Sequence, residues 1–320
     1  MNSIESLLRL AGERDQPSAD GMERARAAAR ESWQRLLEPR VPERPAAWRP
    51  WYSAAAVAVM ALSAIALLKR EPPRPLPVIV ARIAALQGDV VEQASDAAID
   101  STRALVGGDV LRTKDGRVAL TLGDALSMRV DRDSRLRFDA AGHVTLLAGA
   151  VYVDSGGLSA HAPLLIETPA GAVRHVGTQF LVRVRGAVTR VQVREGRVVL
   201  ASPRGGAIDL AAGDRVETTG GESRLDHGQP AFGAEWEWAA LTAPRFDIEN
   251  RPLSEFLAWL AREHGWQVRF SDDRLQTRIQ DIRLHGSVDG LDVATMLERV
   301  SLITGVPLAA HDGVLWVGAP

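Results

Sequence analysis

The sequence predicts a multi-domain protein with a short helical N-terminal segment, one transmembrane helix, an all-β domain and a small α+β domain. Three observations predict this fold class. One long apolar run occurs early in the chain, short alternating runs fill its middle, and helical spacing of apolar residues returns near its end. With 320 residues, 46% of them hydrophobic and 24% charged, the chain is long enough for two or three globular domains.

The first segment, residues 1–50, is predicted to be helical or partly disordered and to bind a regulator. A helix-like stretch runs from Met22 to Leu37, and in it Trp33, Leu36 and Leu37 form an apolar corner too small to be buried by itself. Packing on a neighbouring helix and packing on a partner protein both fit this pattern. We therefore treat these three residues as candidate partner-binding residues.

An uncharged run from Ser53 to Leu68 predicts the transmembrane helix, placed at residues 51–70. Aromatic residues precede the run and two basic residues close it, as at membrane–water interfaces. A buried core helix is the alternative, but the run lacks a polar face. Basic residues are equally frequent on both sides, so charge does not set the orientation. Residues 71–77 form a proline-rich linker.

Residues 78–226 are predicted to form the all-β domain, of β-solenoid or sandwich-like type. Short alternating runs such as Val118–Leu122, Leu126–Val130 and Val191–Val193 are separated by glycine- and aspartate-containing turns. No stretch of helical periodicity interrupts them.

Residues 233–320 are predicted to form the α+β domain, built from two β-α-β units. Apolar residues at helical spacing predict a helix that ends at Gly265; they are Leu253, Phe256, Leu257 and Leu260. A second predicted helix, around Met296, ends at Gly305. Strands are predicted on either side of each helix.

Three tryptophans of this domain are further candidate partner-binding residues. Trp236 and Trp238 are two residues apart, so on a strand they share one face and form a rigid aromatic pair. Core packing against the following helix is the alternative. Trp259 lies at the margin of its helix's apolar stripe, where both partner contact and boundary packing are open.

Composition and motif spacing predict no enzyme, no cofactor and no metal site. The chain has 38 basic and 40 acidic residues, which gives no excess positive charge for nucleic acid, and it has no cysteine. Its seven histidines are never three to five residues apart, so no helical metal-binding pair exists. Neither a nucleophile elbow nor a phosphate-binding glycine loop occurs.

The middle of the chain contains a series of glycine-bearing motifs. They are Gly108–Leu120, Leu136–Phe138, Leu146–Val153, Ile166–Val173, Val176–Phe180 and Val193–Val198. In this order they closely resemble the FecR-type periplasmic sensor domain of iron-siderophore signalling. Glycines such as Gly149 and Gly196 lie where strands must turn or let backbones approach, so their role is architectural.

The end of the chain carries a second resemblance. Phe246–Leu257 and Leu284–Val288 resemble the short domain at the N-termini of secretins and TonB-dependent transducers. Together the resemblances imply a single-pass inner-membrane regulator. Its cytoplasmic N-terminus would bind an extracytoplasmic-function sigma factor, and its periplasmic domains would contact the signalling domain of a TonB-dependent transducer. The N-terminal segment departs from the family pattern because Trp33 is the single tryptophan of its folded part.

We therefore expect a protein that relays a signal from a transducer to a sigma factor and binds no nucleic acid. The alternative is an envelope scaffold or adaptor that is anchored in the inner membrane and has a passive N-terminal tail.

Overall fold

Fourteen strands form one mixed sheet in the computed structural model, which describes residues 18–37, 78–93, 97–123, 126–156 and 164–318. The chain divides into two compact units, Met1–Arg74 and Pro75–Pro320. In the first unit the described element is helix α1 (Ala19–Leu37). All remaining elements belong to the second unit.

The strands of the large sheet occupy the first two thirds of the second unit. They are β1 (Ile79–Gln87), β2 (Val90–Glu92), β3 (Ala104–Val106), β4 (Val110–Thr113), β5 (Arg117–Leu122), β6 (Leu126–Val130), β7 (Arg135–Ala140), β8 (His143–Asp154), β9 (Leu165–Thr168), β10 (Gly171–Arg185), β11 (Val188–Ala201), β12 (Ala207–Ala211), β13 (Arg215–Thr219) and β14 (Glu222–Asp226).

The main path of the sheet runs β14-β13-β11-β10-β9-β8-β6-β5-β1-β3. Strand β12 pairs with β11, while β2, β4 and β7 form a branch that joins β8. Neighbouring strands are antiparallel except for β8 and β9, which are parallel. The longest pairing is the β10–β11 hairpin, whose two-residue turn begins at Gly186 with φ of 58°.

Parts of β8 and β10 are buried on both faces. In β8, Val151 and Val153 face the core of the sheet, whereas Ala150 and Tyr152 face a second cluster that includes helical residues. In β10, Leu181 joins the same second cluster. This arrangement explains why these strands read as nearly continuous apolar runs instead of alternating ones.

The C-terminal part of the second unit contains four helices and five short strands. They are α2 (Ala234–Leu241), β15 (Arg251–Pro252), α3 (Leu253–His264), β16 (Gln267–Phe270), α4 (Asp273–Asp281), β17 (Arg283–Leu284), α5 (Val293–Thr304), β18 (Leu308–His311) and β19 (Val314–Val317). Strands β15 and β17 form one small sheet; β16, β19 and β18 form another, in that order.

Two of these helices end where the sequence predicted. Helix α3 ends at Gly265, which adopts the left-handed conformation with φ of 71°. Helix α5 begins after Asp292, whose side chain accepts a hydrogen bond from the N–H of Thr295 at 3.0 Å, and it ends at Gly305. The helices predicted around Phe256 and Met296 are therefore confirmed.

The predicted fold class needs correction because the described fold is mostly β and is built around one large mixed sheet. The predicted transmembrane helix at residues 51–70 lies outside the described residues. Among the helices that are described, none combines the length and apolar character that a bilayer requires. The longest, α1, carries charged residues throughout. The described helices thus give no support to the membrane-spanning element of that prediction.

The prediction of two β-α-β units is also wrong in detail. Trp236 and Trp238 lie on helix α2 and not on a strand. Alternation of tryptophan with glutamate resembles a strand pattern, but alanine, glutamate and leucine are strong helix formers. Helix α4 was missed because Leu275 and Ile279 are its only apolar residues. In addition, the flanking strands divide between two small sheets.

Candidate functional site

Most of the buried charged residues, Arg129, Asp154, Arg194 and Glu263, lie where the large sheet meets helices α2 and α3. We call this contact surface the seam. Its apolar centre is formed by six buried residues: Ala150, Tyr152, Leu181, Trp236, Trp238 and Ala239. The rings of Tyr152 and Trp236 meet edge to face, with centroids 6.2 Å apart. Around this centre, three arginines form hydrogen bonds between the sheet and the helices.

The first arginine, Arg129 on β6, forms a buried ion pair with Glu263 on α3. Their side chains are 2% and 8% exposed, and Arg129 donates from Nη1 to Oε2 at 2.5 Å and from Nη2 to Oε1 at 2.9 Å. Nη1 also donates to the carbonyl of Ala239 on α2, at 2.8 Å. Burial disfavours the arginine charge, but Glu263 outweighs burial, and the pKa of Arg129 is raised. One guanidinium therefore fixes two helices to the sheet.

The second arginine, Arg262 on α3, forms a partly exposed pair with Asp154 at the end of β8. Arg262 donates to Asp154 from Nη2 at 2.5 Å and from Nε at 3.1 Å, and it reaches Glu195 on β11 at 3.0 Å. Gln179 also donates to Asp154, at 2.9 Å. Burial raises the pKa of Asp154, but hydrogen bonds from Arg262 and from the N–H of Gly156 lower it by a larger amount. The pKa of Asp154 is therefore below its ordinary value.

The third arginine, Arg194 on β11, has a different environment. Its Nη1 donates to the carbonyl of Glu263 at 3.1 Å, near the C-terminus of α3, where a positive charge is favourable. Its guanidinium lies 4.3 Å from the ring centroid of Trp236 and 5.6 Å from that of Tyr152. Burial lowers the pKa of Arg194. No carboxylate of the described residues forms a salt bridge with it.

His264, the last residue of α3, stacks on Trp266 with centroids 4.4 Å apart. Burial, followed by the charges of Arg194 and Arg129, lowers the pKa of His264 from 6.5 to about 4. In the folded protein the imidazole therefore stays neutral in mildly acidic solution, whereas the unfolded chain takes up a proton.

We expect this histidine to make the folded state less stable as pH falls from about 6.5 to about 4. The shift corresponds to at most about 3 kcal/mol, reduced by the solvent that reaches the partly exposed ring. Urea unfolding at pH 7 and pH 4.5 measures the effect. His264→Phe keeps the stacking on Trp266 and should remove much of the difference in the free energy of unfolding between the two pH values. The control, His285→Gln, replaces an exposed histidine and should change that difference by no more than about 0.5 kcal/mol. Equal pH dependence in both variants would contradict this assignment.

The structure places the sequence-predicted residues in three different environments. Trp236 and Trp238 are 1% and 6% exposed and lie together in the seam. Trp259 packs in the C-terminal part, where it stacks on Phe246 at 5.2 Å. Trp33 is 69% exposed on α1. Leu36 and Leu37 belong to the same helix, but their side chains lie outside the described residues. Partner binding by these six residues stays a prediction.

Sequence reasoning missed the charged residues of the seam. Arg129 lies within an apolar strand run and Glu263 within an amphipathic helix, and the only signal was their position beside buried neighbours. Such residues ordinarily face solvent. Within the described ranges, no group of three or more histidine, cysteine or acidic residues is placed to hold a metal ion.

A second surface feature is the free edge of β18. This strand pairs with β19, and its register directs the N–H and C=O groups of Leu308 and Ala310 away from that neighbour. The N–H of Leu308 donates to Oγ of Ser301 on α5, at 2.9 Å. A groove of about 640 Å³ lies beside this edge, lined by residues of α5, β18 and Trp266.

The large sheet and the helices that pack on it at the seam form a mostly β fold. The family model described as FecR protein matches residues 109–199, which extend from the residue before β4 to two residues short of the end of β11. This part of the chain is therefore a FecR domain. The match supports a regulatory role for the chain.

Two solved structures are similar to this chain. Both are crystal structures of a candidate anti-sigma factor from Parabacteroides distasonis, at 1.65 Å and 2.50 Å resolution. The first is 15% identical, covers 66% of this chain and 99% of its own, and has a TM-score of 0.35. The second is 16% identical, covers 65% and 97%, and has the same TM-score. Among proteins with curated descriptions, none matches this sequence.

Proposed function

We propose that this protein is a FecR-type regulator that controls a sigma factor in response to a transducer. The observation that carries the proposal is the FecR domain at residues 109–199. In the proposal, the N-terminal segment binds an extracytoplasmic-function sigma factor, and the C-terminal part of the second unit binds the signalling domain of a TonB-dependent transducer.

An exposed tryptophan supports the proposed sigma-factor contact. Trp33 lies on α1 with 69% of its surface accessible, and Met22 on the same helix is also exposed. Large aromatic side chains contribute much of the affinity in protein interfaces because they bury a large area at a small cost in conformational entropy. Trp33 would serve as the anchor of that contact.

The free edge of β18 supports the proposed transducer contact. An incoming strand can pair with the outward N–H and C=O of Ala310, while its side chains enter the apolar groove beside α5. Because main-chain groups supply this pairing, it requires no distinctive side chain on the regulator. The Leu308 N–H is already bonded to Ser301, so pairing would centre on Ala310.

The seam would couple the C-terminal part of the second unit to the FecR domain. The α3 residues Glu263 and Arg262 bind the FecR domain through Arg129 and Asp154, so a change at the C-terminal part is transmitted to β6 and β8. If α3 moved only partly along the sheet, its buried charges would lose their partners, and unpaired buried charges are strongly destabilising. We infer that the C-terminal part stays docked or separates in one step.

Two variants of the full-length chain test the proposal against the sigma factors and transducer signalling domains of its source organism. Trp33→Ala should weaken sigma-factor binding about tenfold or more and leave transducer binding unchanged. Ala310→Pro, which removes the outward N–H, should have the opposite effect. Co-purification identifies the partners, and titration measures each affinity.

Matched variants keep the test specific. Ser32→Ala alters the neighbour of Trp33, and Ala310→Ser retains the backbone N–H at the edge of β18, so both should bind like the unaltered chain. If neither partner class co-purifies, or if both variants bind both partners normally, the proposed function is rejected.

A further inference from the structure

A cleft of about 490 Å³ lies beside strands β4 and β7 of the FecR domain. The end of β4, the start of β7 and the turn before β7 supply most of its lining. The charged residues of this lining are three cations, Arg112, Lys114 and Arg135, and one carboxylate, that of Asp133. The lining therefore carries an excess of positive charge.

Two of these cations face each other across the strand pair. Arg112 and Arg135 are directly opposite in the antiparallel pairing of β4 with β7. The next pair along the ladder is hydrogen bonded, since the N–H of Thr113 donates to the carbonyl of Ser134 at 3.0 Å. Because hydrogen-bonded and non-hydrogen-bonded pairs alternate, the two arginines form a non-hydrogen-bonded pair, in which opposite side chains lie closest. Like charges in this position repel each other.

Both guanidinium groups are accessible to a ligand. The two arginines are exposed, whereas the adjacent Leu111 and Leu136 are buried, so the arginine side chains lie on the solvent face of the strands. Among the described residues, neither guanidinium has a hydrogen bond or a salt bridge. Arg137, further along β7, differs because Asp139 accepts a hydrogen bond from its Nε at 2.6 Å. The arginine pair therefore keeps its donors for an external acceptor.

The backbone beneath the arginines is held in place by internal hydrogen bonds. Thr113 donates from Oγ1 to the carbonyl of Asp131 at 2.6 Å, and the N–H of Asp133 donates to the carbonyl of Lys114 at 2.8 Å. Ser134 accepts at Oγ from the N–H of Ala150, at 3.0 Å. Binding would thus order only the long side chains, which limits its entropic cost. The exposed carboxylate of Asp133 is too little to neutralise three cations.

We propose that this cleft binds a phosphate-bearing ligand, whose phosphoryl group lies between the guanidinium groups of Arg112 and Arg135. Arginine binds phosphate through two parallel hydrogen bonds, and the three acceptor oxygens of a phosphoryl group can be shared by two arginines. A carboxylate has only two oxygens, which one guanidinium can occupy. The cleft shares no lining residue with the seam or with the free edge of β18, so this inference does not depend on the proposed function.

Calorimetric titration of the full-length chain with inorganic phosphate and with malonate, at pH 8 and constant ionic strength, tests this proposal. Both probes are mainly dianions at this pH, but the charged groups of malonate are carboxylates. Phosphate is expected to bind with a Kd below about 5 mM and at least about fivefold more tightly than malonate. Equal affinities, or no saturable binding of phosphate up to about 20 mM, would overturn the proposal.

Single substitutions locate the binding. Arg112→Gln and Arg135→Gln each remove one guanidinium and should weaken phosphate binding about tenfold or more. Because either change also removes the repulsion, the unfolding midpoint without phosphate should not fall. Arg174→Gln replaces an exposed arginine on β10, makes the same change in net charge and should bind phosphate like the unaltered chain. Equal weakening by all three variants would indicate a general charge effect and refute the assignment.

Phosphoryl groups occur both in free solutes and in lipid headgroups, and vesicle flotation of the full-length chain distinguishes these sources. Vesicles of phosphatidylcholine alone have no net charge, so they show any association that does not depend on an anionic headgroup. If a headgroup is the source, added phosphatidylglycerol should increase flotation, and Arg135→Gln should remove this increase while Arg174→Gln should not. If phosphate binds but phosphatidylglycerol has no such effect, the ligand is a free phosphorylated solute.

Discussion

Replacing Glu263 with glutamine is expected to lower the free energy of unfolding by about 3–5 kcal/mol, because it leaves the charge of Arg129 buried without its counter-charge. Arg129 is 2% exposed, so water cannot replace the lost carboxylate. The same change removes the best-buried connection between α3 and the sheet. Urea denaturation, followed by circular dichroism, measures the loss.

Helix α3 offers a matched control for this prediction. Glu255 pairs with Arg251 at 3.2 Å, but both side chains are about half exposed, so Glu255→Gln should cost no more than about 0.5 kcal/mol. Joint replacement of the buried pair, Arg129→Met with Glu263→Leu, should restore most of the stability because no unpaired charge remains. Equal effects of Glu263→Gln and Glu255→Gln would show that the buried pair has no special energetic role.

Replacing Gly149 with alanine is expected to cost about 3 kcal/mol or more, from backbone strain and from overpacking. Gly149 lies in β8 with φ of 89°, a conformation that side chains disfavour. An added Cβ would lie 2.1 Å from Oγ and 2.4 Å from Cα of Ser134. Ser134 is itself fixed, since its Oγ accepts from the N–H of Ala150 at 3.0 Å. Equilibrium unfolding of the variant gives the cost.

A variant at Gly186 distinguishes the cost of backbone strain from the cost of overpacking. It also has a positive φ, of 58°, but no atom lies within 4 Å of an added Cβ. Gly186→Ala should therefore cost only about 1–2 kcal/mol, the backbone term alone. A Gly149→Ala variant no less stable than Gly186→Ala would contradict the steric argument.

The sequence predicted the strands of the large sheet better than their arrangement. Val118–Leu122 and Leu126–Val130 alternate clearly, and they form β5 and β6 within one residue of the expected ends. The order of strands depends on pairings between distant segments, such as the parallel contact of β8 with β9, and local periodicity contains no information about these. Helix α2 was not recognised because burial on two sides hides helical periodicity.

Only part of the candidate site could be predicted from the sequence. Trp236 and Trp238 were identified as a pair because large aromatic side chains stand out in any sequence. Arg129 and Glu263 were not, because they lie in unrelated sequence contexts and acquire their role only when the fold brings them together. Periodicity shows which face of an element is buried, but it does not show which charged residue is paired there.

The two sides of the seam are far apart in the sequence, so they are synthesised at different times. Arg129 and Glu263 are separated by 134 positions, so Arg129 is synthesised long before its partner on α3. During that interval Tyr152 and Leu181, which α2 later covers, remain open to water on a newly made sheet. Nascent chains of this protein are therefore expected to expose this small apolar patch, and with it a site for aggregation, until α2 has been made.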